Sequence, residues 1–420
     1  MAVKNTSFFK KEDKVMNIVL YVFLIFVFFP YIKYFNIGLN TDVQIYAFVL
    51  GFFICIANLI INHNNIDKIF IKITAYITFI LIVLLAISLY KSNNVTIFNF
   101  LRGIYPYVSL AIIPWATSIL LSKFRLNYIE KILKCFYWIW VIVGTIQLIN
   151  PKLLSGWRDR AIITDDRGAI SLASEPAYFI IMLILITLIL LIINYQRNKK
   201  FIIFNIIVSI LVAQNAVGLI YSILLLIVMN IHRLTISRIL NILIGLVLFS
   251  IGVYILVVNN PDARLSYLII NIVQHPFQVV FEDPSLNIRF AHLYLSFKGA
   301  FQNFLLPNGV TEWGQYYYYN VLANRELFIE PLYRLQNSSN KIVTMHGGFI
   351  YEIGILAVPM YIFFFNKIKK IKLGNELFTH ILILGLNGLN ASNPAFGFLV
   401  GLILHKYKGG TNVDTVKNFV

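Results

Sequence analysis

The sequence predicts an all-α, polytopic membrane helical bundle of about 12 transmembrane helices, with apolar runs near 20 residues as its unit. Three observations carry that prediction. Hydrophobic residues fill 59% of the 420 positions and charged residues 13%, where a water-soluble domain carries about 25% charged residues. The apolar runs recur along the whole length, each enough to cross about 30 Å of hydrocarbon as a helix. Lys and Arg residues collect in the short segments between runs, the pattern that orients a membrane protein.

The first run, 16–35, follows Lys4, Lys10, Lys11 and Lys14 and has the outline of a secretory signal. It is too long for one, and Phe28-Phe29-Pro30-Tyr31 closes it without a small-residue cleavage site, so it is expected to stay as the first helix. Runs 44–62, 71–90, 104–122 and 132–150 supply the next four, and 177–194 the sixth, started by Pro176.

Regions 201–231 and 377–405 are apolar with a polar break in the middle, Gln214-Asn215 in one and Asn390-Ala391-Ser392-Asn393-Pro394 in the other. Cations flank both sides of each: Arg197, Lys199 and Lys200 against Arg233 and Arg238, and Lys367 to Lys372 against Lys406 and Lys408. Cations at both ends prefer the cytoplasm, so each region is predicted to be a hairpin. With runs 239–258 and 347–366, this gives twelve crossings with both termini cytoplasmic. More than half of the 35 Lys and Arg residues then fall on that side. A hairpin arm of about 14 residues rises only about 21 Å, so Gln214, Asn215 and Asn393 are expected below the outer surface, facing protein or a wet cavity.

Residues 1–420 form one integral membrane domain on this reading. Its outer face carries two loops beyond ordinary connection length, 151–176 and 259–346, the larger lying between helices nine and ten; loops of that length are commonly functional. The larger contains Pro276, Pro284 and Pro307 between apolar stretches, which predicts short helices lying on the membrane. The net charge of +17 is accounted for by orientation and does not call for nucleic acid. Cys55 and Cys135 lie inside apolar runs, which excludes a disulfide framework. No nucleotide-binding or metal-binding motif stands out, so neither a cofactor nor a metal is expected.

Charge on the outer face needs a reason, because cations are disfavoured there. Arg158, Arg160 and Arg167 cluster in the first loop, and Arg264, Arg289, Arg325 and Arg334 lie in the second. The guanidinium fork suits phosphate, so two loops bringing arginine to one pocket would clamp a pyrophosphate; a solvated arginine touching lipid headgroups is the alternative. Glu175, at the start of the sixth helix, either complements the helix dipole or acts as a general base or sugar-hydroxyl ligand. Tyr178, one turn on, joins it as a substrate-binding candidate.

His346 opens Met345-His346-Gly347-Gly348-Phe349-Ile350-Tyr351-Glu352-Ile353-Gly354, where the long loop returns to the membrane. It would accept a proton near neutral pH, or be an interfacial histidine held by loop backbone. Glu352, costly inside an apolar helix, is expected to face the bundle interior and pair with a cation such as Arg102. Trp313 and Tyr316 to Tyr319 form an aromatic patch in which Trp313 and Tyr317 are candidates for stacking on sugars, with an interfacial belt as the competing explanation.

The order Arg167-Gly168, Ser174-Glu175-Pro176, Asn287-Ile288-Arg289-Phe290, Leu306-Pro307-Asn308-Gly309 and His346 through Gly354 resembles the O-antigen polymerase and ligase superfamily of bacterial inner-membrane glycosyltransferases, over roughly residues 100 to 365. That resemblance implies a multi-pass protein of the bacterial inner membrane with a periplasmic active site. It implies metal-independent glycosyl transfer from an undecaprenyl-pyrophosphate-linked oligosaccharide, within membrane lipids and with room for a chain-length regulator as partner. By the same analogy Arg167 and Arg289 would bind the pyrophosphate, and His346 or Glu175 would deprotonate the acceptor. Arg158, Arg160, Arg102, Tyr178, Trp313, Tyr317 and Glu352 are, from their own chemistry, the candidates for binding the substrate. The chain departs from the common pattern at Gln214-Asn215-Ala216-Val217-Gly218, where many relatives carry a Ser-Arg-Gly-like turn. A polymerase is the first expectation and a ligase acting on lipid A core the second. A twelve-helix transporter or lipid-linked sugar flippase is the third, weakened because no internal repeat is evident.

Overall fold

The computed structural model describes residues 6–35, 43–61, 67–91, 96–157, 168–231, 264–275, 278–330, 341–386 and 388–416, with isolated positions between 243 and 258. Helix is the regular secondary structure among them. After α1 (Thr6–Phe28) and α2 (Tyr46–Ile61) come α3 (Lys68–Lys91), α4 (Ile97–Lys123), α5 (Leu126–Ile149) and α6 (Pro176–Ile193). The last four, together with Met345–Ile368, are the 5 helices among the described residues long and apolar enough to cross a membrane. Residues 17–28, 46–61 and 216–230 are shorter apolar helices. The expected crossing at 239–258 lies almost wholly outside the described residues.

Helix α6 is the hub. Its hydropathy averages 3.0 and 89% of it is buried inside the protein, whereas 22% of α3 is. A helix apolar on every side belongs in a core, and one with the same composition at the rim faces lipid. Around α6, helix α4 packs alongside the last helix of the chain, and small residues let them approach. Gly397 meets Ile113 and Gly401 meets the backbone of Pro114, while His405 reaches Ser118 at 3.4 Å. Contacts ascending together in number mean that the two helices run parallel.

Both predicted hairpins are present as helix, break, helix. A short α7 (Tyr195–Asn198) leads into α8 (Lys200–Leu211), which is separated from α9 (Ala216–Ile231) by the turn through Gln214 and Asn215. The Asn215 carboxamide closes that turn by accepting from the Gly218 N–H at 2.8 Å. The turn is recessed, since Val212 lies against Gly144 within α5 and Gly218 against Ile180 within α6.

Beyond α9 a cap at one end of the bundle is built from α10 (Arg264–Gln274), α11 (Gln278–Glu282), α12 (Pro284–Gln302) and α13 (Trp313–Ala323). Asp283 caps α12 by accepting from the Ser285 and Leu286 N–H groups, with Pro284 in the first turn. Ala291, Leu295, Trp313, Tyr317, Val321, Phe328, Ile342 and Tyr351 form the cap's own core. The chain then re-enters the bundle through α14 (Met345–Gly348), a π-helical turn at Phe349–Ile353, a 3-10 turn at Gly354–Leu356, and α15 (Ala357–Ile368).

The second hairpin is α16 (Gly374–Leu386) and α17 (Pro394–Val416). Asn393 is buried, accepts from the Ala395 N–H at 2.9 Å and lies against Met182, inside the span of α6. It therefore faces protein. At the opposite end of the bundle, the Lys406 ammonium donates to the Ile192 and Ile193 carbonyls at 2.5 and 3.5 Å, satisfying the end of α6. Lys367 sits 4.0 Å over the Tyr407 ring at that same end. Cations thus gather at one end of the bundle, and the hairpin breaks and the cap at the other.

Candidate functional site

The segment before α6 is pulled down into the protein. The Ala169 N–H donates to the Val212 carbonyl at 2.9 Å, and the Ser171 hydroxyl to the Trp140 carbonyl at 2.6 Å. Gln147 donates to the Ser171 carbonyl at 2.9 Å. Gly168 is required here, because a Cβ would stand 2.2 Å from the Ala213 carbonyl oxygen. The descent delivers Glu175 as the residue preceding α6, with Pro176 in the first turn and no side chain capping it.

There the Arg289 guanidinium of α12 stands 3.7 Å from the Glu175 carboxylate, with the arginine side chain 9% and the glutamate 31% exposed. Two of the residues singled out in the sequence, far apart along the chain, are thus brought together. Tyr221 of α9, not singled out in the sequence, lies within electrostatic reach of Arg289. A cation, a half-open carboxylate and an uncapped helix start can together hold an anionic group and receive a proton. Tyr178 stacks on Tyr31 at 5.8 Å and 22° beside this start. Arg158, Arg160 and Arg167 lie outside the described residues.

A second polar cluster sits between α4 and the returning chain. Glu352 accepts from the Tyr107 hydroxyl at 2.7 Å, so the partner shown for it is a tyrosine one turn beyond Arg102. Arg102 enters through its carbonyl, which accepts from the Lys341 ammonium. Burial pushes the Lys341 amine down to about 8, with the Glu352 charge working upward and the Arg102 charge downward.

His346 departs from its expected role. Its Nε2 meets the Leu382 carbonyl at 2.8 Å and must carry the proton, because a carbonyl only accepts. Its Nδ1 then accepts from the Tyr361 hydroxyl. Both nitrogens are engaged within the bundle and the ring is buried, so no lone pair is offered to a ligand. The alternative of a histidine held by backbone describes it better, though the backbone comes from α16 and not from the loop.

Trp313 and Tyr317 are likewise corrected. They are 2% and 0% exposed, packed against His292 at 5.4 and 4.4 Å, and no sugar face reaches them. The Tyr317 hydroxyl donates to Glu330 at 2.5 Å. Tyr319, 60% exposed, is the ring of the patch that faces outward. Arg325 donates to the Glu330 carbonyl at 2.6 Å and serves the cap.

The quoted motifs after Arg289 are packing partners of one another. The Asn308 and Gly309 N–H groups donate to the Tyr351 and Glu352 carbonyls, each at 3.1 Å. Asn287 holds the far side of the cap, accepting from the Ile329 N–H at 3.0 Å and donating to the Leu327 carbonyl at 2.8 Å. Among the described residues no group of His, Cys, Asp and Glu is gathered to hold a metal ion. The chain matches no protein-family model, no curated protein and no solved structure.

Proposed function

We propose that this chain is a multi-pass bacterial inner-membrane polymerase of surface polysaccharide, with a periplasmic active site at Glu175 and Arg289. It transfers a growing glycan from undecaprenyl pyrophosphate to the next undecaprenyl-pyrophosphate-linked repeat unit. The observation that carries this reading is the 3.7 Å approach of Arg289 to Glu175 at an uncapped helix start. Arg289, joined by Arg167, binds the donor pyrophosphate and stabilises the charge that develops as it leaves. Glu175 takes the proton from the acceptor hydroxyl while that oxygen forms the new bond to the anomeric carbon. His346, with both nitrogens engaged, holds the re-entering helix against α16. The twelve-crossing topology with both termini cytoplasmic belongs to the same proposal, supported by the gathering of Lys367 and Lys406 at the end opposite Glu175.

Deletion of the gene tests it in one gel lane. Loss of the polymerase leaves glycans of at most one repeat unit on their acceptor. Polymer stranded on undecaprenyl pyrophosphate would instead identify a ligase, and loss of all outward-facing repeat units a flippase.

A further inference from the structure

Residues 301–306, at the foot of the cap, present large apolar side chains with nothing of the protein over them: Phe301 is 63% exposed, Phe304 88% and Leu306 55%. Water would be a poor solvent for such a cluster. Their height in the bundle bears on which solvent they meet.

The Leu305 carbonyl accepts from the Ile355 N–H at 2.7 Å, which fixes this turn level with Ile355. From Ile355 to Lys367, the first cation at the far end of that crossing, the helical rise is about 18 Å. A second ruler agrees. Glu352 is bonded to Tyr107, and Tyr107 stands about 24 Å above Lys123 along α4, with Ile355 a further 4 to 5 Å down from Glu352. In a hydrocarbon layer about 30 Å thick whose edge is marked by Lys123 and Lys367, both rulers put the turn about 10 Å below the opposite surface.

We propose that residues 301–306 are a wedge inserted into the acyl chains of the leaflet that carries the cap, and not part of a loop in water. The hydrogen bonding of the turn fits that solvent. Backbone exposed to hydrocarbon must be satisfied internally. Here the N–H groups of Asn303, Phe304, Leu305 and Leu306 donate to the carbonyls of Gly299, Phe301, Ala300 and Asn303. The Asn303 carboxamide covers the Leu306 carbonyl at 3.0 Å and approaches that of Pro307 at 3.4 Å. Phe304 and Leu305 take positive φ, 53° and 59°, a conformation that bulky residues adopt only under constraint. The outcome is an exposed side chain at Phe304, on the same level as Ile355, itself 49% exposed.

One consequence touches the active site. Helix α12 is continuous from Pro284 to Gln302, so Arg289 stands at most about 18 Å above Phe301. An anchored wedge would hold its guanidinium near headgroup height, where a lipid-linked pyrophosphate lies. The wedge itself does not depend on the proposed chemistry.

The test uses the full chain with Cys55 and Cys135 replaced, carrying Phe304→Cys labelled with an environment-sensitive fluorophore and reconstituted in phosphatidylcholine vesicles. Phe301→Cys gives a second wedge position and Glu326→Cys an aqueous reference, since Glu326 is exposed and the adjacent Leu327 carbonyl accepts from Asn287, about 21 Å above Phe301 along α12. Lipids brominated along the acyl chain should quench both wedge probes, placing them about 10 Å inside the hydrocarbon, while aqueous iodide quenches only the probe at 326. Iodide quenching at 301 and 304 to the extent seen at 326 overturns the proposal. Protection of both wedge positions from iodide and bromolipid alike also overturns it, because protein and not lipid would then cover the turn. Since both wedge side chains are exposed, their replacement removes little packing.

Discussion

Replacing Arg289 by methionine removes its charge and donors while keeping an apolar stem of similar length, which isolates the electrostatic role. The 3.7 Å separation from Glu175, with the carboxylate 31% exposed, is longer than a strong charge-assisted hydrogen bond, about 2.7–2.9 Å. A pair this loose and this wet contributes about 0–1 kcal/mol to stability. Removing a donor aimed at charge developing in the transition state costs about 100- to 1000-fold in rate. Arg289→Met should therefore lower the rate of glycan polymerisation by about that factor while shifting the unfolding free energy by no more than about 1 kcal/mol. Arg289→Lys should fall between, since a point charge remains but the fork is lost. The assay is polymer formation from lipid-linked repeat units in vesicles, run beside thermal unfolding of the same preparations. A wild-type rate in Arg289→Met would refute the reasoning, and so would loss of activity fully matched by loss of folded protein.

Three further predictions address the scaffold. Asn287→Ala removes the side chain that bonds the Ile329 N–H and the Leu327 carbonyl; both residues are partly open to water, so each lost bond costs about 0.5–1.5 kcal/mol, and the cap should become more protease-sensitive while the bundle stays intact. Gly354→Ala places a Cβ 2.2 Å from the Leu305 carbonyl oxygen at a φ of +54°, so the unfolding midpoint should drop, by more than about 2 kcal/mol in free energy. His292 accepts from the Val343 N–H at 3.3 Å and burial pushes it down from 6.5 to about 3. The unfolded chain then binds a proton that the folded cap refuses, so stability present above pH 6.5 should be lost as pH falls from 6.5 toward 3. His292→Gln, which keeps an acceptor and does not titrate, should flatten that acid dependence in limited proteolysis of the cap.

Much of the membrane layer was legible because its signals are local. Cations on both flanks of 201–231 and 377–405 foretold helices α8 and α9 and helices α16 and α17, and Pro176 marked the start of α6. Glu175 and the arginines of the two long loops could be singled out from charge on an apolar background, and the resemblance pointed to Arg289 among them; the structure puts Arg289 and Glu175 side by side. What failed depended on contacts distant in sequence. His346 looked available because its partners, Tyr361 and Leu382, belong to later elements. The cap aromatics carried a readable warning: Trp313, Tyr317 and Val321 repeat at helical spacing and are all buried, the mark of a core stripe and not of a sugar platform. Glu352 accepts from the Tyr107 hydroxyl and feels the charge of Lys341, a lysine that sits in a polar segment where a cation draws no notice.

The most direct measurement is glycan synthesis by the purified chain in vesicles supplied with an undecaprenyl-pyrophosphate-linked repeat unit and no other protein. Wild type should give a ladder of lengthening glycans without added metal. Glu175→Gln should lower its rate by about 100- to 10,000-fold, as loss of a general base does, while the protein remains folded. A ladder undiminished in Glu175→Gln, or none from folded wild-type protein, would contradict the account.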